Sequence, residues 1–424
     1  MNFLTASKTE LSNLLADLKK QYDICCSKGL KLDMSRGKPS SAQLDIVEPM
    51  LTILSANELT KSREIDTRNY GILTGIIECR ELFAQIFEVP VDNVIAGGNS
   101  SLTMMYDTIM RLWVFGAPES DRPWSQEEKV KWLCPVPGYD RHFSILQQLG
   151  IEMIPIPMTE NGPDMDVVEA LAADKAVKGI WCVPKYSNPQ GYVYSDDCVL
   201  RLANMKTGAK DFRIFWDNAY VVHHLTDERP ALLNIYNECI KAGDPDRVLM
   251  FTSTSKITYP GAGVAAMAFS DANIQWSKNI MTVQGIGPDK VNQLRHCRFL
   301  PDMAAVEELM EKHAVIMKPK FDAVSDMLER ELGGTGIANW IAPKGGYFIS
   351  FDALPGCAKR IHKLCSDAGV ILTSAGATYP YGIDPDDKNI RIAPSLPPVE
   401  ELMAAMEVFC ICTKLAAVEK LLEN

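Results

Sequence analysis

Three short apolar runs, each ending in polar side chains, constrain the fold of this chain more than any other feature. They read GIWCVPKYSNPQG, IFWDNAY and VLMFTSTSK and span residues 179–191, 214–220 and 248–256. Near-continuous apolar runs without alternation are typical of strands that are buried on both faces of a parallel sheet. Ligands of open α/β sheets bind outside the carboxyl ends of the strands. The sequence therefore predicts an α/β fold with a ligand-binding crevice at these strand ends.

Strand-like and helical segments alternate along most of the chain. From about residue 94 to residue 270, this alternation is typical of a mostly parallel sheet with helices on both faces. After residue 302, long helices precede shorter strand-like runs and a final helix over 398–422, a different rhythm that indicates a second, α+β domain. A chain of 424 residues is long enough for two domains around a large core.

Composition narrows the classes of protein to which the chain can belong. The 43 basic and 54 acidic residues give a formal net charge of −11, which disfavours a nucleic-acid-binding surface. The N-terminal segment lacks the apolar stretch of a signal peptide, and no run of about 20 apolar residues is present to span a membrane. The twelve cysteines form no CxxC pair, so the sequence predicts no metal site and a reducing, cytoplasmic location.

Lys256 is the candidate nucleophile, because it follows the hydroxyl-rich segment at the end of the third apolar run. A lysine that attacks an aldehyde must be partly neutral, so burial or a nearby cation must lower its pKa. Most lysines are surface residues, and only the context of the apolar strand singles this one out.

Two of the other runs supply groups that suit an aromatic ring with a basic nitrogen. Asp217 ends the second run, where its carboxylate can pair with a protonated ring nitrogen, although a strand-terminal aspartate can also cap a turn. Tyr220 and Asn188 can donate hydrogen bonds to a phenolate oxygen on the same ring, which favours its ionised form. For Asn188, a turn before Pro189 is the alternative.

A glycine-rich loop before a long helix offers a site for a phosphate group. Gly98, Asn99 and Ser100 lie between a strand and a helix, where backbone N–H groups and the helix dipole favour an anion. Ser253 and Ser255 can add hydroxyl donors. The loop matches neither GxGxxG nor GxxxxGK[ST], and an ordinary turn with a helix N-cap is the alternative.

Two further residues complete the candidate site. Tyr139 lies at another strand end and can stack on a flat ring, with a core or rim tyrosine as the alternative. Arg391 lies in an apolar strand, where a guanidinium needs an anionic partner; a substrate carboxylate held bidentately or a structural salt bridge would serve. Together an amine, a carboxylate, an amide and hydroxyls suit an aldehyde cofactor with a ring nitrogen and a phosphate, namely pyridoxal 5′-phosphate (PLP).

The histidines are expected at the surface or behind the site, because the adjacent His223 and His224 point in opposite directions in a strand.

Taken in order, these motifs resemble those of the fold-type I aminotransferases, the aspartate aminotransferase superfamily. The resemblance covers nearly the whole chain, and its motifs are jointly specific. The matching segments are Arg36-Gly37-Lys38-Pro39, Tyr70 with Gly75 and Arg80, Gly98-Asn99-Ser100, Ser187-Asn188-Pro189-Gln190-Gly191, Asp217-Asn218-Ala219-Tyr220, Ser253-Thr254-Ser255-Lys256, Gly345-Gly346-Tyr347-Phe348 and Arg391.

Three segments, SRGKPS, GGNSS and SKITYPGAGVA, resemble the divergent bacterial subgroup of aspartate aminotransferases that is sometimes called MocR-like. One departure from the family concerns the phosphate. Many members carry an arginine shortly after the lysine motif, whereas this chain has Gly261-Ala262-Gly263-Val264. The resemblance therefore leaves the phosphate to the helix dipole, the hydroxyls, Tyr70 and another cation.

The resemblance also implies an architecture. A large PLP-binding domain over 48–296 would hold a mostly parallel seven-stranded sheet flanked by helices. A smaller α+β domain would combine residues 1–47 with residues 297–424. Members of the family are homodimers with shared active sites, so Tyr70 is expected to reach the site of the other subunit.

The activity that the resemblance implies is a PLP-dependent transfer of an amino group between L-aspartate or L-glutamate and 2-oxo acids, in ping-pong half-reactions. Lys256, Asp217 and Tyr220 would be catalytic. The substrate would be bound by Arg391, Asn188 and Gly37, with Arg36 the first candidate for a distal carboxylate and Lys38, Lys290 and Arg295 as competitors.

Two other functions remain compatible with the motifs. Another PLP enzyme acting on amino acids, such as a broad-specificity aminotransferase, a β-lyase or a decarboxylase, would use the same cofactor-binding residues. Dependence on an amino acceptor separates transamination from the β-lyase and decarboxylase reactions. A PLP-sensing transcriptional regulator needs an N-terminal winged-helix module. The aminotransferase pattern begins near residue 30, which leaves no room for such a module.

Overall fold

The computed structural model describes residues 1–54, 61–63 and 65–423, and within them it forms thirteen α-helices and fifteen strands. The helices are α1 (Lys8–Ser27), α2 (Ser41–Ile46), α3 (Ile77–Phe87), α4 (Ser101–Phe115), α5 (Asp140–Gln148), α6 (Met165–Ala172), α7 (Asp196–Asn204), α8 (Ile235–Lys241), α9 (Asp271–Gln284), α10 (Lys290–Phe299), α11 (Met303–Leu332), α12 (Ala358–Asp367) and α13 (Val399–Glu423). The strands are β1 (Leu32–Asp33), β2 (Lys61–Ser62), β3 (Ile65–Asp66), β4 (Val94–Ala96), β5 (Lys131–Val136), β6 (Glu152–Thr159), β7 (Gly162–Pro163), β8 (Val177–Cys182), β9 (Arg213–Asp217), β10 (Val248–Ser253), β11 (Ala265–Ala268), β12 (Ala338–Trp340), β13 (Ile349–Ala353), β14 (Val370–Ile371) and β15 (Asn389–Ile392).

A large mixed sheet has the strand order β4-β11-β10-β9-β8-β5-β6-β7. The pairs from β10 through β9, β8 and β5 to β6 are parallel, and β11 is antiparallel to both of its neighbours. The predicted α/β fold with a mostly parallel sheet is confirmed, with one addition to the seven predicted strands. The two-residue strand β7 pairs with the end of β6 as a short eighth strand, too brief to leave a periodic signal in the sequence.

The apolar parts of the three runs form β8, β9 and β10 at the centre of this sheet, and every residue of these three strands is buried. Their side chains alternate between two apolar clusters, one on each face. Ile214 and Trp216 belong to one cluster, whereas Phe215 belongs to the other. Because both faces are covered, polar positions along these strands are confined to their ends.

A third apolar cluster unites the two ends of the chain. Helix α1 packs against α13, which also contacts α11 and α12, and the small antiparallel sheet β12-β13-β15 lies in the same cluster. Strand β1 pairs in parallel with β14, so that Leu32 lies beside Val370. This pairing brings the segment that follows β1 next to the C-terminal elements. The division into domains at residues 47/48 and 296/297 remains a prediction.

No helix in the described part of the chain is both long and apolar enough to cross a membrane. Among the same residues, no group of three or more histidine, cysteine or acidic side chains is arranged to hold a metal ion.

Candidate active site

A cavity of about 260 Å³ lies at the carboxyl ends of the central strands. It brings together eight of the residues that the sequence singled out. These are Ser100, Tyr139, Asn188, Asp217, Tyr220, Ser253, Ser255 and Lys256. They come from five separate segments of the chain, and they meet because the parallel strands all end at the same edge of the sheet.

Lys256 follows β10 in a turn, and its side chain is half-buried. Its Nζ lies 5.0 Å from the ring centroid of Tyr220 and 5.9 Å from that of Tyr347. Burial lowers the pKa of the Lys256 amine, the charge of Asp217 opposes this shift, and the charge of Arg391 adds to it. The amine is therefore neutral at a lower pH than an ordinary lysine, as a nucleophile or general base requires.

Asp217 ends β9, and its carboxylate is buried, with only 4% of the residue exposed. The Oδ2 atom lies 3.1 Å from Nε2 of His142, but the Oδ1 atom has no hydrogen-bond partner among the residues that the structure describes. A buried carboxylate oxygen without a partner is costly, so this atom is suited to a donor that enters with a ligand. A protonated ring nitrogen is such a donor.

His142, which was not singled out from the sequence, is buried in contact with Asp217. Its ring stacks on the indole of Trp181, at 4.1 Å between centroids and an angle of 9°. The signal available in the sequence was its position three residues after Tyr139 at a helix start, where residues i and i+3 share a face. His223, which was expected at the surface or behind the site, is fully buried, and burial lowers its pKa well below the usual value.

The glycine-rich loop that the sequence predicts to bind a phosphate precedes α4, whose N-cap is Ser100. Gly98 has a φ of +65°, a left-handed conformation that favours glycine at this turn. The hydroxyls of Ser253 and Ser255 are 2.9 Å apart, and that of Ser255 donates to the carbonyl of Asn99 at 3.4 Å. Hydroxyls and a helix N-terminus thus meet at one end of the cavity. Among the described residues that line it, Lys256 is the only cation.

Two tyrosines, Tyr139 and Tyr220, line the same cavity as Lys256 and Asp217. Tyr220 is buried, and its burial raises the pKa of the phenol well above the usual value. Tyr139 is half-buried, and burial raises its pKa to about 12, with further contributions from Asp140 and Asp217. Both side chains therefore remain protonated hydrogen-bond donors at neutral pH.

Arg391 lies on β15 with 3% of its surface exposed. Its guanidinium carbon Cζ lies 4.7 Å from the ring centroid of Phe348. Its Nη1 donates to Oδ1 of Asp140 at 3.1 Å and to Oδ1 of Asn188 at 3.3 Å. Its Nη2 donates to Oγ1 of Thr373 at 3.4 Å, and its Nε has no partner. The buried guanidinium thus already has an anionic partner within the chain, and it retains an unused donor.

Gly37 lies against the same phenyl ring. A Cβ atom added at this position would lie 2.6 Å from Cζ of Phe348, so only glycine lets the backbone approach so closely. The ring in turn lies beneath the guanidinium of Arg391. Gly37 therefore supports the arginine indirectly.

The structure does not bring Arg36 or Tyr70 into the cavity of a single chain. Arg36 is exposed, and its guanidinium has no hydrogen bond or ion pair within the part of the chain that the structure describes. Tyr70 is 82% exposed and does not line the cavity. Of the competing cations, Lys290 donates to the carbonyl of Gly71 at 3.0 Å.

A lysine of lowered pKa, a buried carboxylate and a phosphate-type loop at one edge of a mostly parallel sheet are the features of fold-type I aminotransferases. The family model described as aspartate amino-transferase matches residues 6–424, so the chain belongs to this family and is an aminotransferase.

Similar proteins that are described as aminotransferases support this assignment along the whole chain. The chain is 49% identical to an aspartate aminotransferase of Corynebacterium glutamicum, over 95% of this chain and 93% of the relative. It is 47% identical to a putative aminotransferase of Mycolicibacterium smegmatis, over 100% and 99% of the two chains. A crystal structure of an aspartate transaminase from C. glutamicum superimposes with a TM-score of 0.97 at 47% identity, covering 99% of each chain.

A more distant structure shares the fold alone. It is an α-aminoadipate aminotransferase of Thermus thermophilus, complexed with N-(5′-phosphopyridoxyl)-L-leucine, with a TM-score of 0.74 and 19% identity. Membership of the MocR-like subgroup remains a prediction.

Proposed function

We propose that this aminotransferase uses PLP to move an amino group between L-aspartate or L-glutamate and 2-oxo acids, in ping-pong half-reactions. The observation that carries the proposal is the pairing, in one cavity, of the Lys256 amine of lowered pKa with the unpartnered buried oxygen of Asp217. The names of the relatives that are nearly half identical to this chain favour aspartate as a substrate.

The residues of the cavity fit the cofactor group by group. Asp217 would accept a hydrogen bond from the ring nitrogen, and Lys256 would hold the aldehyde carbon covalently. The other contacts would come from Tyr220 and Asn188 to the ring oxygen, from Tyr139 to the ring face, and from Ser100, Ser253 and Ser255 to the phosphate. Gly98 and Asn99, which directly precede Ser100, would add backbone N–H groups to the phosphate. When bound, PLP supplies an electron sink that stabilises negative charge at the substrate Cα.

The chemistry of the chain itself is proton transfer and orientation. The Lys256 amine, whose pKa is lowered by burial, takes the Cα proton as a general base and returns it as a general acid. His142 holds the Asp217 carboxylate in place by its hydrogen bond to Oδ2. Arg391 binds the α-carboxylate of the substrate, since its buried guanidinium retains an unpartnered Nε.

The second subunit of a homodimer would complete the site. Tyr70 is 82% exposed in the single chain, which suits a residue that contacts the phosphate in a partner's cavity. Arg36, which is also exposed in the single chain, is the first candidate to bind a distal carboxylate. The setting that we propose is a homodimeric enzyme in the cytoplasm.

A half-reaction screen tests the function directly. The PLP form of the enzyme is mixed with single amino acids, and its conversion into the pyridoxamine form is followed by absorbance. Aspartate and glutamate should convert the enzyme far more efficiently than alanine, because a neutral side chain leaves the second cation unpaired. Equal use of alanine and aspartate would reject the dicarboxylate specificity. Release of ammonia without an amino acceptor would indicate a lyase instead.

A further inference from the structure

Asp140 is the anionic partner of Arg391. It is the first residue of α5, directly after Tyr139, and its carboxylate Oδ1 lies 3.1 Å from Nη1 of Arg391. The side chain of Asp140 is 22% exposed, whereas that of Arg391 is 3% exposed. One member of this ion pair is therefore fixed in the protein interior, and the other lies at its boundary with the solvent.

The contacts of Arg391 leave its guanidinium incompletely used. Asp140 and Asn188 share one nitrogen, Nη1, as their donor. Within the described part of the chain, the only hydrogen bond of Nη2 is to the hydroxyl of Thr373, at 3.4 Å, and Nε has no partner. A carboxylate that took two nitrogens at once would bind more strongly than this single contact, because bidentate pairs are the stronger geometry.

A buried guanidinium needs an anion at all times, because an unpaired buried charge is costly. Asp217 does not fill this role, since one of its oxygens bonds to His142 and the other has no partner. Asp140 is the one carboxylate for which the described residues show an ion pair with Arg391. Arg391 also lowers the pKa of Lys256, so its positive charge acts on the reactive amine.

We propose that Asp140 is a displaceable counter-ion, which pairs with Arg391 in the free site and yields this arginine to the α-carboxylate of the substrate. This inference rests on the proposed function, in which Arg391 receives that carboxylate. Every carboxylate ligand must then displace the same group. Asp140 therefore weakens the binding of amino acids, 2-oxo acids and unreactive carboxylates by a similar factor, so it sets the affinity of the site for carboxylates as a class.

A purely structural role for Asp140 predicts that its substitution does not strengthen the binding of carboxylates. If the carboxylate only orients Arg391, its removal should weaken the binding of every substrate carboxylate. If it only stabilises the N-terminus of α5 through the helix dipole, substitution should lower thermal stability and leave binding unchanged.

The variant Asp140→Asn in the holoenzyme separates these roles, because the amide keeps an acceptor oxygen but removes the charge. The readouts are the KM values for aspartate and 2-oxoglutarate, kcat, and the Kd of maleate, an unreactive dicarboxylate, measured by absorbance titration. We expect all the KM values and the maleate Kd to fall by about three- to tenfold, with a smaller change in kcat. The control is Asp196→Asn, which removes an exposed aspartate from the same position of α7 and should leave the maleate Kd unchanged.

A second variant, Asp140→Ala, guards against a specific defect of the amide and should shift the maleate Kd in the same direction. A maleate Kd that stays constant or rises in both variants would overturn the inference. Failure of the proposed function itself has a different signature, since the wild-type enzyme would then convert neither aspartate nor glutamate in the half-reaction. A wild type that transaminates while both variants bind maleate no better would refute the counter-ion role alone.

Discussion

At the scale of single residues, the site consists of charged side chains that are buried or half-buried. Lys256, Asp217 and Arg391 each follow or lie within an apolar strand, and this pattern allowed all three to be singled out from the sequence. Their partners could not be predicted in the same way. His142 and Asp140 lie on α5 and reach Asp217 and Arg391 through tertiary contacts, for which the spacing of His142 from Tyr139 is the only local signal in the sequence.

Substitution of Asp217 tests its role in the chemistry. Asp217→Ala should retain some cofactor but lose turnover by at least about a hundredfold, because a preorganised charge partner of the ring nitrogen is lost. The measurement is the rate at which the substrate Cα proton exchanges with solvent deuterium. Exchange at the wild-type rate would show that Asp217 does not support proton removal.

The lowered pKa of Lys256 gives a second prediction at this scale. In the cofactor-free protein, the reaction of Lys256 with an amine-specific reagent should increase with pH, with a midpoint below the usual lysine value of about 10.4. The sign follows from burial, which disfavours the charged ammonium. Because the charge of Arg391 adds to the shift, Arg391→Gln should move the midpoint to higher pH. Mass-spectrometric quantification of labelled Lys256 that gave an ordinary midpoint would contradict the burial argument.

At the scale of elements, the sequence was informative where strands are buried on both faces. Strands β8, β9 and β10 were predicted from continuous apolar runs, because a strand covered on both sides has no polar face. Strand β7 was not predicted, because two residues carry no periodicity. The pairing of β1 with β14 joins residues 32 and 370, and no pattern within either strand specifies so distant a partner.

Gly37 provides the prediction at this scale. A methyl group at this position would overlap the ring of Phe348, which supports Arg391 from below. Gly37→Ala should therefore raise the KM for aspartate by about ten- to a hundredfold, since a displaced guanidinium binds the carboxylate poorly. Gly261→Ala is the matched control, because a Cβ atom there meets open space. An unchanged KM in Gly37→Ala would show that the ring can move without disturbing the arginine.

At the scale of the whole molecule, one chain contains most of the proposed site but not all of it. The order of motifs along the sequence predicted a family that the matched residues 6–424 then confirmed. Assembly is different, because it depends on surfaces that local patterns do not reveal. Tyr70 and Arg36 lie outside the cavity of the single chain, so their proposed roles depend on a second subunit or on movement of the chain.

Mixing two inactive variants tests the shared site. In a hybrid dimer of Tyr70→Ala and Lys256→Ala, one site receives both intact residues and the other receives neither. If the subunits exchange freely, about a quarter of the wild-type activity should return, since half of the dimers are hybrids with one working site each. No recovery, despite exchange proven by differently tagged subunits, would count against a tyrosine supplied across the interface.

The most direct test of the central claim is to locate the covalent bond between the enzyme and its cofactor. The purified protein should be yellow, and borohydride reduction followed by peptide mapping should find the pyridoxyl group on Lys256 alone. The variant Lys256→Ala should give no labelled peptide. A label on any other lysine, or a protein that takes up no PLP, would contradict the assignment of this cavity as the active site.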